Sequence, residues 1–593
     1  MNAAASQPSK TASHILLDVL EQWGIDTVYG MPGDGINGIM EALRKRQDRI
    51  RFILARHEEA AAFMACAHAK WTGKIGCCLA TTGPGGVHLL NGLYDAKFDR
   101  APVLAITGLP YQDLFQTYTQ QDIDHTRVFS DVAAYSTAIF SAAHVENAVS
   151  LACRTALARR GVAHIALPVD VQEEACSDAE PSPRNRPHHV SPAYVEAERR
   201  PNPEAIARAA HVLRNGRKIT ILAGQGAMGA RAELLEIAGL LGAPIVKALL
   251  GKAVAPDHHP LVMGGVGYLG TRPSQLALEE CDTLLIVGSN FPYIEYYPEP
   301  GQARAIQIDL DATRISLRYP IEAPIVGDAA LSLRALIEAL EPRTDQTFLE
   351  HVQRAKEQWL VSLEDGAERS GEPLKPQRVV RDLDLRLAHN AIVVTDCGQN
   401  TGLAAQYVMM RERQLFGVSG TLACMGAGVP YAIAAALAHP GRQVVAVVGD
   451  GGLSMSLAEL ATCRKYDLPI KIIVMNNSSL AQIQWEQMMF LGNPEFGCAM
   501  QPVDFAKVAE GCGIKGLRIT RSEGCAAIMD QAFAADEPVL VDAVVDAAEP
   551  MLPPKRRENY VDNLKKALKE MPVARPEIER AMREEPARTA LRK

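Results

Sequence analysis

Short apolar runs alternate with amphipathic stretches through most of this chain. Between about residues 14 and 170, the runs IGCCLATTG (75–83) and APVLAITG (101–108) end in glycine-rich punctuation, and helical periodicity fills the intervals. Apolar runs of this length suit strands buried on both faces, and intervening helices suit parallel crossovers. The rhythm predicts βαβ units around a parallel sheet. It returns twice more. One block opens with AIARAAHVLRNG, continues into KITILAG, and closes with RAIQIDLD (304–311) and a helix after Gly327-Asp328. The other carries AIVVTDCG, RQVVAVVGDGG, PIKIIVMNN and EPVLVDAVV.

Polar, charged and proline-rich stretches separate these blocks, the clearest being EEACSDAEPSPRNRPHHVSPAYVEAERRPNP (173–203). The predicted organisation is an α/β domain over 1–175, a linker over 176–203, a second α/β domain over 204–342, a linker over 343–375, a third over 376–550 and a charged helical tail over 551–593. In the tail, Val561, Leu564, Leu568 and Met571 form a short apolar stripe. It reads as a docking face on the protein itself. Peripheral membrane contact fits less well, because Asp and Glu interrupt the basic residues. No repeat of solenoid period occurs.

Length and composition agree with a packed, multidomain chain. The 593 residues exceed one hydrophobic core and suggest roughly three or four domains. With 48% hydrophobic and 22% charged residues, the chain is far from disordered compositions. A net charge of −8 gives no general reason to bind nucleic acid, so any anion site must be local. The twelve cysteines lack CxxC spacing and read as reduced, mostly buried thiols. The first residues lack a signal-peptide core, and no stretch approaches about 18 uninterrupted apolar residues, so a cytoplasmic location is expected.

The strongest chemical signal is Gly449-Asp450-Gly451 at the end of VVAVV, followed by a helix (about 453–466), the strand IKIIVM and Asn476-Asn477. Both motifs fall at the carboxyl ends of neighbouring parallel strands, the edge at which open α/β sheets bind ligands. Glycine there lets backbone approach a phosphate, and the following helix aims N–H groups at it. The Asp450 carboxylate and the Asn477 amide oxygen also suit Mg²⁺, a hard cation that takes oxygen ligands.

This pairing resembles the diphosphate signature of the thiamine-diphosphate enzymes. The resemblance places Gly449, Gly451 and Gly452 on the cofactor and gives the metal Asp450, Asn477 and the Ser479 main-chain carbonyl. It extends to FILARHEEAAAFMACAHAKWTGKIG (52–76), where Glu58 falls on the carboxylate that activates the aminopyrimidine ring. In TTGPGGVHLLNGLYDA (81–96), Gly83, His88 and Asn91 match, as Gly33 does earlier in the chain; in GVSGTLACMGAGVPYAIAAALA (417–438), Met425 falls on the apolar residue that bends the cofactor. The family builds this site from two subunits, which implies a homo-oligomer with a dimeric active unit and usually a tetramer.

In the middle block, Gly224-Gln-Gly226-Ala-Met-Gly229 fits a strand–turn–helix. No acidic residue follows at the spacing that would hold a nicotinamide ribose. The chain is instead similar to the pyruvate oxidase and acetolactate synthase group, whose middle domain carries FAD. That likeness implies flavin contacts at Gly224, Gly226, Lys247, Gly265, Asn290, Asp309 and Asp328. It also puts Ile483 and Glu486, in NNSSLAQIQWEQ, on the active-site pair of the pyruvate oxidases, and Gln120 near the substrate.

The implied reaction is oxidative decarboxylation of pyruvate or a similar small 2-oxo acid, with two electrons passing to FAD and release of acetyl phosphate or acetate. The alternative is a carboligase of the acetolactate synthase type with structural FAD. Three departures bear on specificity. Thr119-Gln120-Gln121 stands for the family's Phe-Gln-Glu, Ala481 for a common glycine, and Gln482 for a bulky apolar residue.

Overall fold

The computed structural model describes residues 10–176, 181–186, 188–369, 372–555 and 559–584. It contains three six-stranded sheets whose strands pair in parallel throughout. The first comprises Thr27–Gly30 (β1), Arg51–Leu54 (β2), Gly76–Ala80 (β3), Val103–Leu109 (β4), Ala133–Ala138 (β5) and Val162–Pro168 (β6), in the order β2-β1-β3-β4-β6-β5. The second comprises Ile219–Ala223 (β7), Ile245–Lys247 (β8), Val262–Gly265 (β9), Thr283–Val287 (β10), Arg304–Asp309 (β11) and Ala323–Val326 (β12), in the order β12-β11-β10-β7-β8-β9. The third comprises Ile392–Thr395 (β13), Leu415–Gly417 (β14), Val444–Gly449 (β15), Lys471–Asn476 (β16), Lys515–Ile519 (β17) and Val539–Val544 (β18), in the order β14-β13-β15-β16-β18-β17. The expected three α/β sheets are present. Their inner strands are the near-continuous apolar runs of the sequence, as burial on both faces requires.

The chain gathers into two compact units. The first takes residues 1–196, 419–441 and 456–468; the second takes 197–418, 442–455 and 469–593. In the first, the alanine-rich helix Glu58–Thr72 is buried along most of its length. Its small side chains allow close neighbours: a Cβ on Gly92 would lie 2.6 Å from the Ala62 Cβ. Helix Gly428–Ala438 also belongs to this unit, and its Tyr431 hydroxyl meets Cys66 and Lys70 of the alanine-rich helix.

The second unit holds the other two sheets, the long helix Thr347–Glu368 and the tail helices Asn559–Lys569 and Arg575–Glu584. The tail docks as its stripe implied: Leu564 and Leu568 are buried in a cluster with Trp485, Met488, Met489 and Met551. Val561 is the exception and stays exposed. Among the described residues no helix is long and apolar enough to cross a membrane. No disulfide joins any of the twelve cysteines, and eight are buried.

Candidate active site

The carboxyl edge of the third sheet brings the two sequence motifs together. In the β15–β16 register Gly449 pairs with Met475, so Asp450 and Asn476-Asn477 leave adjacent strands side by side. A helix begins at once, Asp450–Met455. The Asp450 carboxylate is buried and accepts from the Gly451 N–H at 2.9 Å and the Ser478 N–H at 2.6 Å. Burial pushes its pKa up to about 6 in spite of these donors. Among the described residues the carboxylate has backbone donors and no ion-pair partner, and a bound metal would supply a cation.

Asn477 donates from Nδ2 to Gln399 Oε1 at 3.0 Å, which fixes the direction of its oxygen; that oxygen accepts the Ser479 N–H. Between them Ser478 adopts φ 54°, a left-handed conformation that costs a non-glycine residue energy and turns residues 477–479 beneath Asp450. Gly452 is required by contact: a Cβ would lie 2.4 Å from Asp396 Oδ2. The donor set is all oxygen and suits Mg²⁺, and the helix start beside it suits a diphosphate.

Two positioning residues escaped the sequence reading. Gln399 orients Asn477, and Asn400 directs its Nδ2 to Thr395 Oγ1 and to the carbonyls of Asp396 and Val447, each at 3.0 Å, tying the end of β13 to β15. The available signal was TDCGQN, which follows β13 on the same sheet edge.

In the first unit, Glu58 opens its helix and is buried. Its Oε2 lies 3.0 Å from His88 Nδ1. His57 caps the same helix by accepting the Glu59 N–H, and its ring stacks on His88 at 4.5 Å. Gly85 passes close by, its would-be Cβ 3.3 Å from Glu58 Oε1, while Gly33 sits against Thr81. Asn91 reaches both Glu59 and Cys424.

The segment leading to half-buried Met425 is anchored by Asp95, which accepts from Ser419 Oγ at 2.8 Å, and by Asp99, which accepts the N–H groups of Gly420 and Thr421 at 2.9 Å. Lys70 pairs with Asp99 at 2.6 Å. Burial pushes Asp95 up against the pull of Lys70. Gln120 is exposed on its loop, whereas its neighbour Gln121 accepts from the Thr82 hydroxyl and backs the Gly83 turn.

The central sheet has its topological switch between β7 and β10, where dinucleotide folds place their ligand. The residues expected there divide into two sets. The N–H groups of Gly224 and Gly226 are spent on Val287 O and Gly288 O, both at 3.0 Å; the glycines permit this closeness, since a Cβ on either would meet Gly288 at 2.5–2.7 Å. Lys247 is directed inward, donating to Lys252 O and Ala255 O and pairing with Asp257 at 2.7 Å, with burial lowering its pKa to about 8. All three ammonium protons are engaged. Asp328 caps helix Ala329–Glu338 through the Leu331 N–H.

Of the rest, Asn290 follows β10 beside the switch and donates to Asp309 Oδ2, at the end of β11, at 3.1 Å, while its own Oδ1 is buried without a partner; Gly265 ends β9 at the far edge of the sheet. An orphaned buried oxygen is costly unless a further donor arrives, and a flavin dinucleotide carries such donors. The residues at the switch therefore fit FAD.

Ile483 and Glu486 lie beyond the Asn477 turn. Helix Ala481–Trp485 passes into a π-helical turn, Glu486–Leu491. Ile483 is exposed, and half-buried Glu486 accepts from Gln482 Nε2 at 3.1 Å. Its charge is felt by Tyr268 and Tyr293 of the central domain.

A parallel sheet with GDG and NN at adjacent strand ends, an all-oxygen donor set and a helix start beside it fit a diphosphate-binding α/β enzyme. Three family models match in series: the thiamine pyrophosphate enzyme N-terminal TPP binding domain over residues 10–128, the central domain over 206–336 and the C-terminal TPP binding domain over 396–543. The chain is 42% identical over 92% of its length to the "Putative thiamine pyrophosphate-containing protein YdaP" of Bacillus subtilis, covering 93% of that protein. It is 33% identical over 93% of its length to the "Pyruvate oxidase" of Lactiplantibacillus plantarum, covering 91% of it. It is also 33% identical over 91% of its length to a "Probable acetolactate synthase large subunit" of Methanocaldococcus jannaschii, covering 93%. The chain belongs to the thiamine pyrophosphate enzymes, in the group that includes pyruvate oxidases and acetolactate synthases.

Proposed function

We propose that this protein catalyses the oxidative decarboxylation of pyruvate or a similar small 2-oxo acid, using thiamine diphosphate, Mg²⁺ and FAD: CO₂ leaves, two electrons pass to FAD, and phosphate or water takes the acetyl group, releasing acetyl phosphate or acetate. The observation that carries the oxidase reading is Glu486. It is a half-buried carboxylate just beyond the metal turn, within electrostatic reach of Tyr268 and of Tyr293 in the SNFPY segment next to Asn290. A group that handles protons there would serve a step in which electrons cross to a flavin.

Bound thiamine diphosphate supplies the carbon nucleophile and electron sink for loss of CO₂, and FAD accepts the electron pair. Asp450, the Asn477 oxygen and the Ser479 carbonyl would hold Mg²⁺, with Gly449, Gly451 and Gly452 giving the diphosphate close access to backbone. Glu58, oriented by His88, would hold the proton shared with the aminopyrimidine, and Met425 would prop the cofactor. Ile483 would shape the substrate pocket, Glu486 would move a proton near the reacting carbon, and Gln120 would border the substrate. Asn290, Asp309 and Gly265 would bind the flavin. The active assembly is a homo-oligomer, dimeric at the site and tetrameric overall, to be checked by solution mass.

The second reading, a carboligase with structural FAD, draws on the acetolactate synthase relative, as similar to this chain as the pyruvate oxidase. An anaerobic spectrum of the loaded protein before and after pyruvate separates the two. Loss of oxidised-flavin absorbance together with CO₂ release is the expected result. CO₂ release with the flavin left oxidised would favour the carboligase.

A further inference from the structure

The tail reaches the active-site segment through one side chain. The π-helical turn Glu486–Leu491 ends at Gly492, whose left-handed φ of 68° closes the helix, and the N–H groups of Gly492 and Asn493 both return to Gln487 O. Helix ends leave their last carbonyls without intrahelical donors. Here two of them are satisfied from the tail: Asn563 donates Nδ2 to Met489 O at 3.1 Å and to Phe490 O at 2.9 Å. Asn563 also lies against Gly492, where a Cβ would come within 3.2 Å of its Oδ1.

The same tail helix grips the turn by two other contacts. Tyr560 stacks on Phe490 at 4.9 Å, and Tyr268 meets the same ring edge-on at 5.3 Å. Leu564 and Leu568 pack in the cluster that holds Met488 and Met489. A π turn contains one residue more than an α turn needs, and such turns recur at functional sites. If it relaxed to α-helix, the residues on one side would slip by one position, a rotation of about 100° on the helix surface. Glu486 is the first residue of that turn.

We infer that Asn563 is a positioning residue for Glu486: by capping the Met489 and Phe490 carbonyls it fixes the π register and thereby the direction of the Glu486 carboxylate. The inference rests on the role of Glu486 proposed above. The consequence is a tail that belongs to the reaction's scaffold although it touches no reacting atom.

The test uses the full chain loaded with thiamine diphosphate, Mg²⁺ and FAD, carrying Asn563→Asp, which keeps the shape and loses the donors, Asn563→Ala, or Asn563→Gln, which keeps the donors. Each is made alone and with Glu486→Gln. The rate of flavin reduction by pyruvate should fall about tenfold for Asp and Ala with KM little changed, and Gln should recover part of it. In the Glu486→Gln background these substitutions should cost nothing further, because coupled residues are non-additive. Wild-type rates for Asn563→Asp, or an equal loss with and without Glu486→Gln, would overturn the inference.

A second readout needs no substrate. Amide hydrogen exchange over residues 486–493 should accelerate in Asn563→Ala, and unchanged exchange overturns the inference whatever the reaction proves to be. If exchange accelerates but pyruvate fails to bleach the flavin of the unaltered protein, the oxidase reading fails and the positioning of the turn by Asn563 stands.

Discussion

Asp450 is held between two backbone N–H groups with its pKa pushed to about 6 by burial, and Asn477 is aimed by Gln399. Removing one proposed ligand, Asp450, and removing the residue that aims the other, Asn477, should therefore differ in degree. Asp450→Ala should abolish Mg²⁺-dependent cofactor binding, whereas Gln399→Leu should weaken apparent Mg²⁺ affinity by about 10–100-fold, the usual effect of losing a ligand's orienting partner. Metal titration followed by cofactor-dependent circular dichroism checks both; wild-type affinity in Gln399→Leu would refute the orienting role. Glu58→Gln should retain cofactor and lose about 10²–10⁴-fold in decarboxylation, the range for a general acid–base group. Cofactor stoichiometry and CO₂ release measure that pair of outcomes.

At the scale of elements, the buried histidines of the first unit set its acid limit. Burial lowers His68 to about 4 and His164 well below its ordinary value, and His125 is lowered too. His68 meets the Tyr29 hydroxyl, and His164 lies between Thr107 and Ser136. The folded chain keeps these rings neutral while the unfolded chain takes up protons below about 6.5, so stability present above that pH is lost as pH falls toward 4. For His68 alone the loss approaches about 3 kcal/mol, at 1.36 kcal/mol per unit. Thermal midpoints between pH 7 and 4.5 should show this slope, and His68→Gln should flatten it.

The central domain supplies a sharper test. Lys247→Met leaves the buried Asp257 carboxylate with Lys252 as its remaining ion-pair partner among the described residues, and breaking a buried pair costs about 3–5 kcal/mol. The fall should appear in the thermal midpoint, with flavin content per folded molecule unchanged. A stable variant that has lost its flavin would return Lys247 to the cofactor.

These elements also show what the sequence could and could not disclose. GDG and NN were legible because the apolar runs before them announce parallel strands, and the ends of such strands share one edge. Lys247 drew attention through KALLGK, but a local motif does not reveal that Asp257 folds back onto it. Asn563 lies 73 and 74 residues from the carbonyls it caps, and an asparagine in a charged helix carries no sign of such partners. Strand ends are written locally, whereas caps and buried pairs are created by packing.

At the scale of the whole molecule, the first unit is assembled from distant stretches of chain. Residues 419–441 and 456–468 belong with residues 1–196. They bring Tyr431 to Lys70 and Asp95, Ser419 to Asp95, and Glu459 to the Arg56 N–H. During synthesis, the unit has to wait from residue 196 until residue 468 is made, 272 residues later (468 − 196), or roughly 14–55 seconds at ribosomal speeds of about 5–20 residues per second. Throughout that interval the alanine-rich helix, Asp95 and Asp99 lack their cover. A nascent chain stalled between these points should be a preferred client of chaperones, and residues 1–196 made alone should be recovered aggregated.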